Sequence, residues 1–162
     1  MVVQIMIAFN LIHMNLPTVQ FGILNLDLSH IVPGIIVLSL NSGAYISESV
    51  RAGIESIPKG QIEAAYSLGI RPWNTMRYVV LPQAIKNILP ALGNEFVTII
   101  KDSSLLQTIG VMELWNGAQT VATTTYLTLT PLLFAAFYYL IVTTAMTALL
   151  KQMEQRLGEG RK

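Results

Sequence analysis

The segment Leu127–Leu150 is 24 residues long and carries no charge. A helix of that length rises about 36 Å, enough to cross the roughly 30 Å hydrocarbon layer of a bilayer. Pro131 lies near its start, where a missing N–H costs least. Lys151, Arg156, Arg161 and Lys162 follow at its far end. A chain with such a run is expected to be an integral membrane protein, all-α in class. Composition agrees: 52% of the 162 residues are hydrophobic and 12% are charged, against about a quarter charged in soluble domains.

Charge placement sets the expected orientation. Residues 1–50 and 102–150 contain no Lys or Arg, so all ten basic residues lie in 51–101 and 151–162. By the positive-inside rule those two blocks are cytoplasmic. There is no cysteine, which excludes disulfides and cysteine-based metal sites. The N-terminus lacks the basic region and small-residue cleavage site of a secretory signal.

Met1–Leu16 is apolar but shorter than a span. Either the chain begins inside a helix with earlier spans upstream, or this is a short interfacial helix. His13 is read as a packing residue, since no second ligand stands at metal spacing. Pro17–His30 reads as an outside loop with a short amphipathic piece, and Asp27 as a solvated or capping acid.

Ile31–Val50 is the next expected span, with Pro33 in its first turn and Glu48 placed to pair with Arg51. Ser39, Gly43 and Ser47 recur every four residues, a small-residue stripe suited to close helix approach. Asn41 and Ser42 lie near mid-span; they serve an interhelical hydrogen bond or line a solute path.

Lys86–Leu114 is an awkward span, because Pro90, Gly93, Asn94, Glu95, Lys101, Asp102 and Gly110 would not suit a lipid-facing helix. Glu95 and Asp102, seven apart, share a helix face. They and Asn94 and Ser103 are candidates for a solute path; the alternative is a structural ion pair such as Lys101 with Glu95. Trp115 and Tyr126 suit an aromatic belt at the outer interface.

Between these spans lies Ile57–Pro82, IPKGQIEAAYSLGIRPWNTMRYVVLP, rich in charge and turn residues. Pro58 suits a first helical turn. Gln61–Leu68 holds good helix formers, Gly69 fits a left-handed C′ position, and Pro72 starts a second helix. That helix carries Trp73, Met76 and Val80 as a narrow apolar stripe.

The same stretch resembles the EAA motif of permease subunits of ATP-binding-cassette (ABC) importers: Glu63-Ala64-Ala65, Gly69, then Leu81-Pro82, with Val79 where the family pattern has isoleucine. Leu40–Tyr45, Ile57–Gln61, Pro90–Asn94 and Lys101–Leu105 extend the likeness to the polar amino acid branch. The resemblance covers most of the chain and implies a single type I ABC importer transmembrane domain over 1–162. It would hold about three full transmembrane helices, a partial first helix and a cytoplasmic coupling helix within 57–82.

The function so implied is import of an amino acid across the cytoplasmic (inner) membrane. An external or periplasmic binding protein delivers the solute, and a second permease subunit, identical or not, completes the path. A separate ATPase uses ATP; this chain binds no cofactor, catalyses nothing and touches no nucleic acid. Gly60, Glu63, Ala64, Ala65, Gly69, Leu81 and Pro82 are the expected ATPase-coupling residues. Ala64, Ala65 and Gly69 are small enough for a partner to approach the backbone, and Glu63 near the helix N-terminus is favoured by the dipole. The chain has no GxxxxGK[ST] phosphate loop. Two other readings stand beside this one: an ion-coupled secondary transporter using Glu95, Lys101 and Asp102, and an inactive truncated remnant of a permease.

Overall fold

The computed structural model describes residues 1–12, 16–21 and 24–159; His13, Arg161 and Lys162 lie outside the described residues. In chain order the elements are α1 (Val2–Leu11), β1 (Thr18–Phe21), β2 (Leu24–Asp27), α2 (Leu28–Glu55), α3 (Lys59–Ser67) and α4 (Pro72–Thr75). A π-helical turn (Met76–Val80) and α5 (Leu81–Asp102) follow, then a 3-10 segment (Ser103–Ile109), α6 (Leu114–Thr125) and α7 (Leu129–Glu159).

Among the described residues two helices are long and apolar enough to cross a membrane: α2 and the Leu129–Met153 part of α7. The first is longer than the expected Ile31–Val50, so Pro33 lies inside the helix and not in its first turn. Along α7 large apolar side chains such as Phe134, Leu140 and Val142, which point to different sides of the helix, are exposed, as a lipid-facing helix requires. At 22 residues α5 is long enough to span, but Lys86, Glu95, Lys101 and Asp102 keep it out of the strongly apolar class. Pro90 stays within it.

The expected outside loop is instead a β-hairpin, β1 pairing antiparallel with β2 from Thr18↔Asp27 to Phe21↔Leu24. Asp27 does cap: its Oδ1 accepts from the Ser29 N–H at 2.9 Å at the start of α2. Ser29 Oγ in turn holds both the N–H and the carbonyl of Leu16, each at 3.1 Å.

Contacts group the chain into two compact units, Met1–Ser42 with Val97–Ala145, and Gly43–Phe96 with Met146–Lys162. In the first, Ile5, Val37, Leu38, Leu106, Ile109 and Val111 form a buried cluster. Gly34 lets α2 approach the 3-10 segment, because a Cβ there would strike Leu106. In the second, Ile57, Val80, Ala84 and Ile88 form the cluster, with Ile54, Ile62 and Leu92 against it. There Gly53 admits Ile88 and Gly93 admits Leu150, each where a Cβ would collide. Ser39, Gly43 and Ser47 are exposed, and among the described residues nothing lies within 4 Å of a Cβ position at Gly43. Glu48 and Arg51 form no ion pair among the described residues.

After Asp102 the α-helix gives way to 3-10 geometry. Ser103 and Ser104 donate their hydroxyls to the carbonyls of Ile100 and Lys101, each at 2.7 Å and three residues back. Gly110, at φ +80°, ends the segment.

Candidate functional site

Nine residues are too few for a helix to persist alone in water, so α3 depends on its frame. Its N-cap is Pro58 at φ −56°, ψ 129°, one position earlier than expected and without a side-chain cap. Gln61 N–H bonds the Pro58 carbonyl at 2.9 Å. At the other end Gly69 stands at φ +75°. Its N–H bonds Tyr66 O at 2.9 Å, and Ile70 N–H bonds Ala65 O at 3.1 Å. This pair of bonds is the Schellman closure, as Gly69 led one to expect. A Cβ on Gly69 would meet nothing within 4 Å, so glycine is required there by the backbone and not by crowding.

On α3, Gly60, Glu63 and Ala64 are exposed. Ala65 is 4% exposed; its smallness serves the chain's own packing, and it is Ala64 that faces outward. Glu63 is the fifth residue of α3, past the first turn, so the dipole gives it little.

The chain then turns at Arg71, and Pro72 opens α4 at its first position. This is not a separate second helix, because α4, the π turn and α5 run on without a break from Pro72 to Asp102. The expected stripe is only partly inward. Val80 is buried at 2%, but Trp73 is 73% exposed and Met76 is at the surface; Thr75, at 1%, takes the inward place.

The π turn explains how Pro82 sits within a helix. A proline ring clashes with the carbonyl four residues back and leaves it unbonded. Here Leu81 N–H reaches five residues back to Met76 O, which widens the turn just before the ring. Gln83 then ties the pieces together. Its Nε2 donates to Val79 O at 2.8 Å and to Gln61 Oε1 on α3 at 2.6 Å. Sequence reasoning passed over Gln61 and Gln83 as linkers; their only signal was their place beside Gly60 and Pro82.

Of the solute-path candidates, Asn41 is half-buried and Ser42 is 5% exposed, both on α2. Glu95 and Asp102 are half-buried and Asn94 is exposed, all on α5. Six residues separate Glu95 from Lys101, which turns them apart, so the suggested ion pair is not available along this helix. No hydrogen bond joins Asn41 or Ser42 to Asp102 or Ser103 among the described residues.

Ser103 is half-buried, its hydroxyl donating to Ile100 O. A polar group that the sequence did not reveal joins α6 to α7: the Tyr139 hydroxyl donates to Glu113 Oε2 at 3.0 Å. The Glu113 carboxylate also caps α6, accepting from Trp115 N–H at 2.7 Å and Asn116 N–H at 2.6 Å. Glutamate is not among the favoured N-cap residues, which hid both the cap and the helix behind it. Trp115, expected in an aromatic belt, is held in the first turn of α6, whereas Tyr126 is 91% exposed. An open apolar groove of about 620 Å³ between α6 and α7, lined by Leu114, Val121, Pro131 and Phe134 among others, includes none of the solute-path candidates.

Residues 1–159 match the family model of the binding-protein-dependent transport system inner membrane component. A putative glutamine transport system permease protein GlnP of Rickettsia typhi is 42% identical over 135 residues, 83% of this chain and 62% of that protein. The arginine transport system permease protein ArtQ of Bacillus subtilis is 38% identical over 147 residues, 89% of this chain and 67% of its own. The chain thus spans about three fifths of the length of the first of these relatives. A solved amino acid ABC transporter, described with histidines, superposes with a TM-score of 0.83 at 38% identity over 96% of this chain and 68% of that one. The MetNI methionine ABC transporter in an inward-facing form shares the fold alone, at TM-score 0.65 and 20% identity over 80% of this chain and 57% of its own. With α3, its glycine closure and the continuous α4–α5 helix in place, the chain belongs to the family of binding-protein-dependent transport system inner membrane components and carries the transmembrane fold of type I ABC importers.

Proposed function

We propose that this chain is the permease subunit of an ABC importer that moves a polar amino acid across the cytoplasmic membrane, and that α3 is the segment through which a separate ATPase drives it. The observation that carries this reading is the build of α3. Neither end uses a side-chain cap, and Gly60, Glu63 and Ala64 face outward. Inward, it is fastened to the root of α5 through Ile62 and the Gln61–Gln83 bond. A displacement of α3 would therefore be handed to a helix long enough to span. A lever of this kind works only if its partner binds one conformation more tightly than the other.

The basic blocks 51–101 and 151–162 support a cytoplasmic side for α3 and the C-terminus. The remaining partners are a second permease subunit, an external amino-acid-binding protein and membrane lipid. The relatives are named for glutamine and arginine, which supports a polar amino acid as solute. At least one of Asn41, Ser42, Asn94, Glu95, Asp102 and Ser103 would line its path.

The test is Gly69→Val in the transporter reconstituted with its ATPase and binding protein. The variant should insert normally, yet lose the stimulation of ATP hydrolysis by solute-loaded binding protein. Undiminished stimulation would defeat the reading, and uptake driven by an ion gradient without ATP would favour the Glu95, Lys101 and Asp102 alternative.

A further inference from the structure

The end of α2, a helix long and apolar enough to cross a membrane, gives a level from which the next helix can be measured. Asn87 Nδ2 donates to Ser56 Oγ at 2.9 Å, just past α2, and Ile88 fills the notch left by Gly53 earlier on α2. Higher numbers on α5 thus meet lower numbers on α2, so the two run antiparallel there. From Asn87 back to Pro72 the helix is unbroken and continues beyond the end of α2. At roughly 1.5 Å per residue this carries Trp73 about 20 Å past that level. The headgroup layer on each side of a bilayer is only about 5–8 Å deep, so Trp73 stands in water.

Water does not suit what this end of the helix bares. Trp73 is 73% exposed, and Leu68, on the other side of the Gly69 turn, is 81% exposed. Arg71 between them and Arg77, one turn past Trp73, are exposed as well. Neither arginine forms an ion pair among the described residues, and residues 64–94 contain no Asp or Glu. With lipid out of reach, large apolar side chains rimmed by polar groups mark a surface for another protein. Tryptophan and arginine are the residue types that most often carry the binding energy of such surfaces.

We infer that the turn Leu68–Trp73 is the anchor by which the ATPase holds this chain, with Trp73 in an apolar slot of the ATPase and Arg71 and Arg77 against carboxylates at its rim. This rests on the transport reading above and divides its labour: α3 transmits the motion, and the turn after it supplies the grip. Continuity selects the ATPase among protein partners. Leu68 is the C-cap of α3, and the Gly69 and Ile70 N–H groups bond Tyr66 O and Ala65 O, so whatever holds the turn pulls on α3. Complementarity sets the acidic rim, because this stretch offers cations and no acid.

The test is the affinity of the purified ATPase subunit for the permease held in phosphatidylcholine nanodiscs, measured without nucleotide. Trp73→Ala should weaken binding about tenfold or more, and Trp73→Phe should weaken it less. Arg71→Gln should weaken it severalfold and flatten its salt dependence; Arg71→Glu should weaken it further, with added salt restoring part of the loss. These side chains are exposed, so Tm should hold in every variant, which separates lost grip from lost folding. Undiminished affinity in both Trp73→Ala and Arg71→Glu would overturn the inference. So would loss of pairing between permease subunits at unchanged ATPase affinity, which would put a second permease on this surface. Affinity that ignores Trp73 and Arg71 leaves the transport reading standing, whereas full stimulation in Gly69→Val defeats that reading and leaves the measured grip as it is.

Discussion

Gly69 and Gly110 close their helices in the same way and stand in opposite surroundings. Each has a positive φ, +75° and +80°. Each is followed by the same pair of backbone bonds: Gly110 N–H to Gln107 O at 2.9 Å and Val111 N–H to Leu106 O at 3.3 Å repeat the pattern at Gly69 and Ile70. A Cβ on Gly69 would enter open space, whereas one on Gly110 would come within 3.3 Å of His30 Nδ1. The His30 ring is itself held edge-on by Phe9 at 5.0 Å. One turn is thus a surface feature with nothing of its own chain outside it. The other is exposed too, but His30 walls it on one side. An identical backbone device serves outward presentation in one place and a one-sided close contact in the other.

Gly110→Ala should show the largest loss of stability. The left-handed conformation alone costs about 1–2 kcal/mol for a residue with a Cβ, and His30 must also give way. Thermal unfolding of the detergent-solubilised chain should register a clear fall in Tm. Gly69→Ala bears the same φ penalty of about 1–2 kcal/mol without the crowding. Its Tm should therefore fall less, while ATPase coupling falls more. Equal Tm losses in the two variants would erase the contrast between open and walled turns.

Near the walled turn, Glu113→Ala removes a cap worth about 1 kcal/mol and leaves Tyr139 without its acceptor. Tyr139→Phe keeps the cap and should cost only about 1 kcal/mol for the lost hydrogen bond. Glu113→Ala should accordingly be the more damaging of the two; the reverse order would mean that the carboxylate does not cap α6. The smallest effect has the opposite sign. Gly60→Ala meets nothing within 4 Å and should stabilise α3 by about 0.5–1 kcal/mol. Any accompanying loss of coupling would show that an outside surface approaches the backbone at that residue.

The sequence announced what depends on local chemistry. Gly69 and Pro72 could be read as stop and start because their backbone limits travel with the residue. The charge-free run of α7 could be read because lipid imposes one requirement on all its sides. What depended on non-local contact stayed hidden. Ala65 looked like a partner surface until Thr75 and Val80 were seen packed in the same region. Thr18–Phe21 and Leu24–Asp27 each alternate polar and apolar residues, a strand signal that the reading of this segment as a loop passed over. Glu113 gave no sign of capping because its partner Tyr139 lies 26 residues on. Gln61 and Gln83, 22 apart, meet only when α3 folds back on the start of α5.

The wide turn at Met76–Val80 has a bearing on the lengths this helix can tolerate. A π turn contains one residue more than an α turn of the same span. Deleting a residue elsewhere between Pro72 and Ala84 would rotate everything downstream by about 100° and carry Ala84 and Ile88 out of their cluster. Deleting one between Met76 and Val80 would absorb the surplus and keep the downstream phase, but it would leave the Pro82 ring facing a normal turn. The shortened helix should therefore be accommodated when Pro82→Ala accompanies it and rejected when it does not, making this the one stretch where the spacing between the EAA segment and the following helix is negotiable.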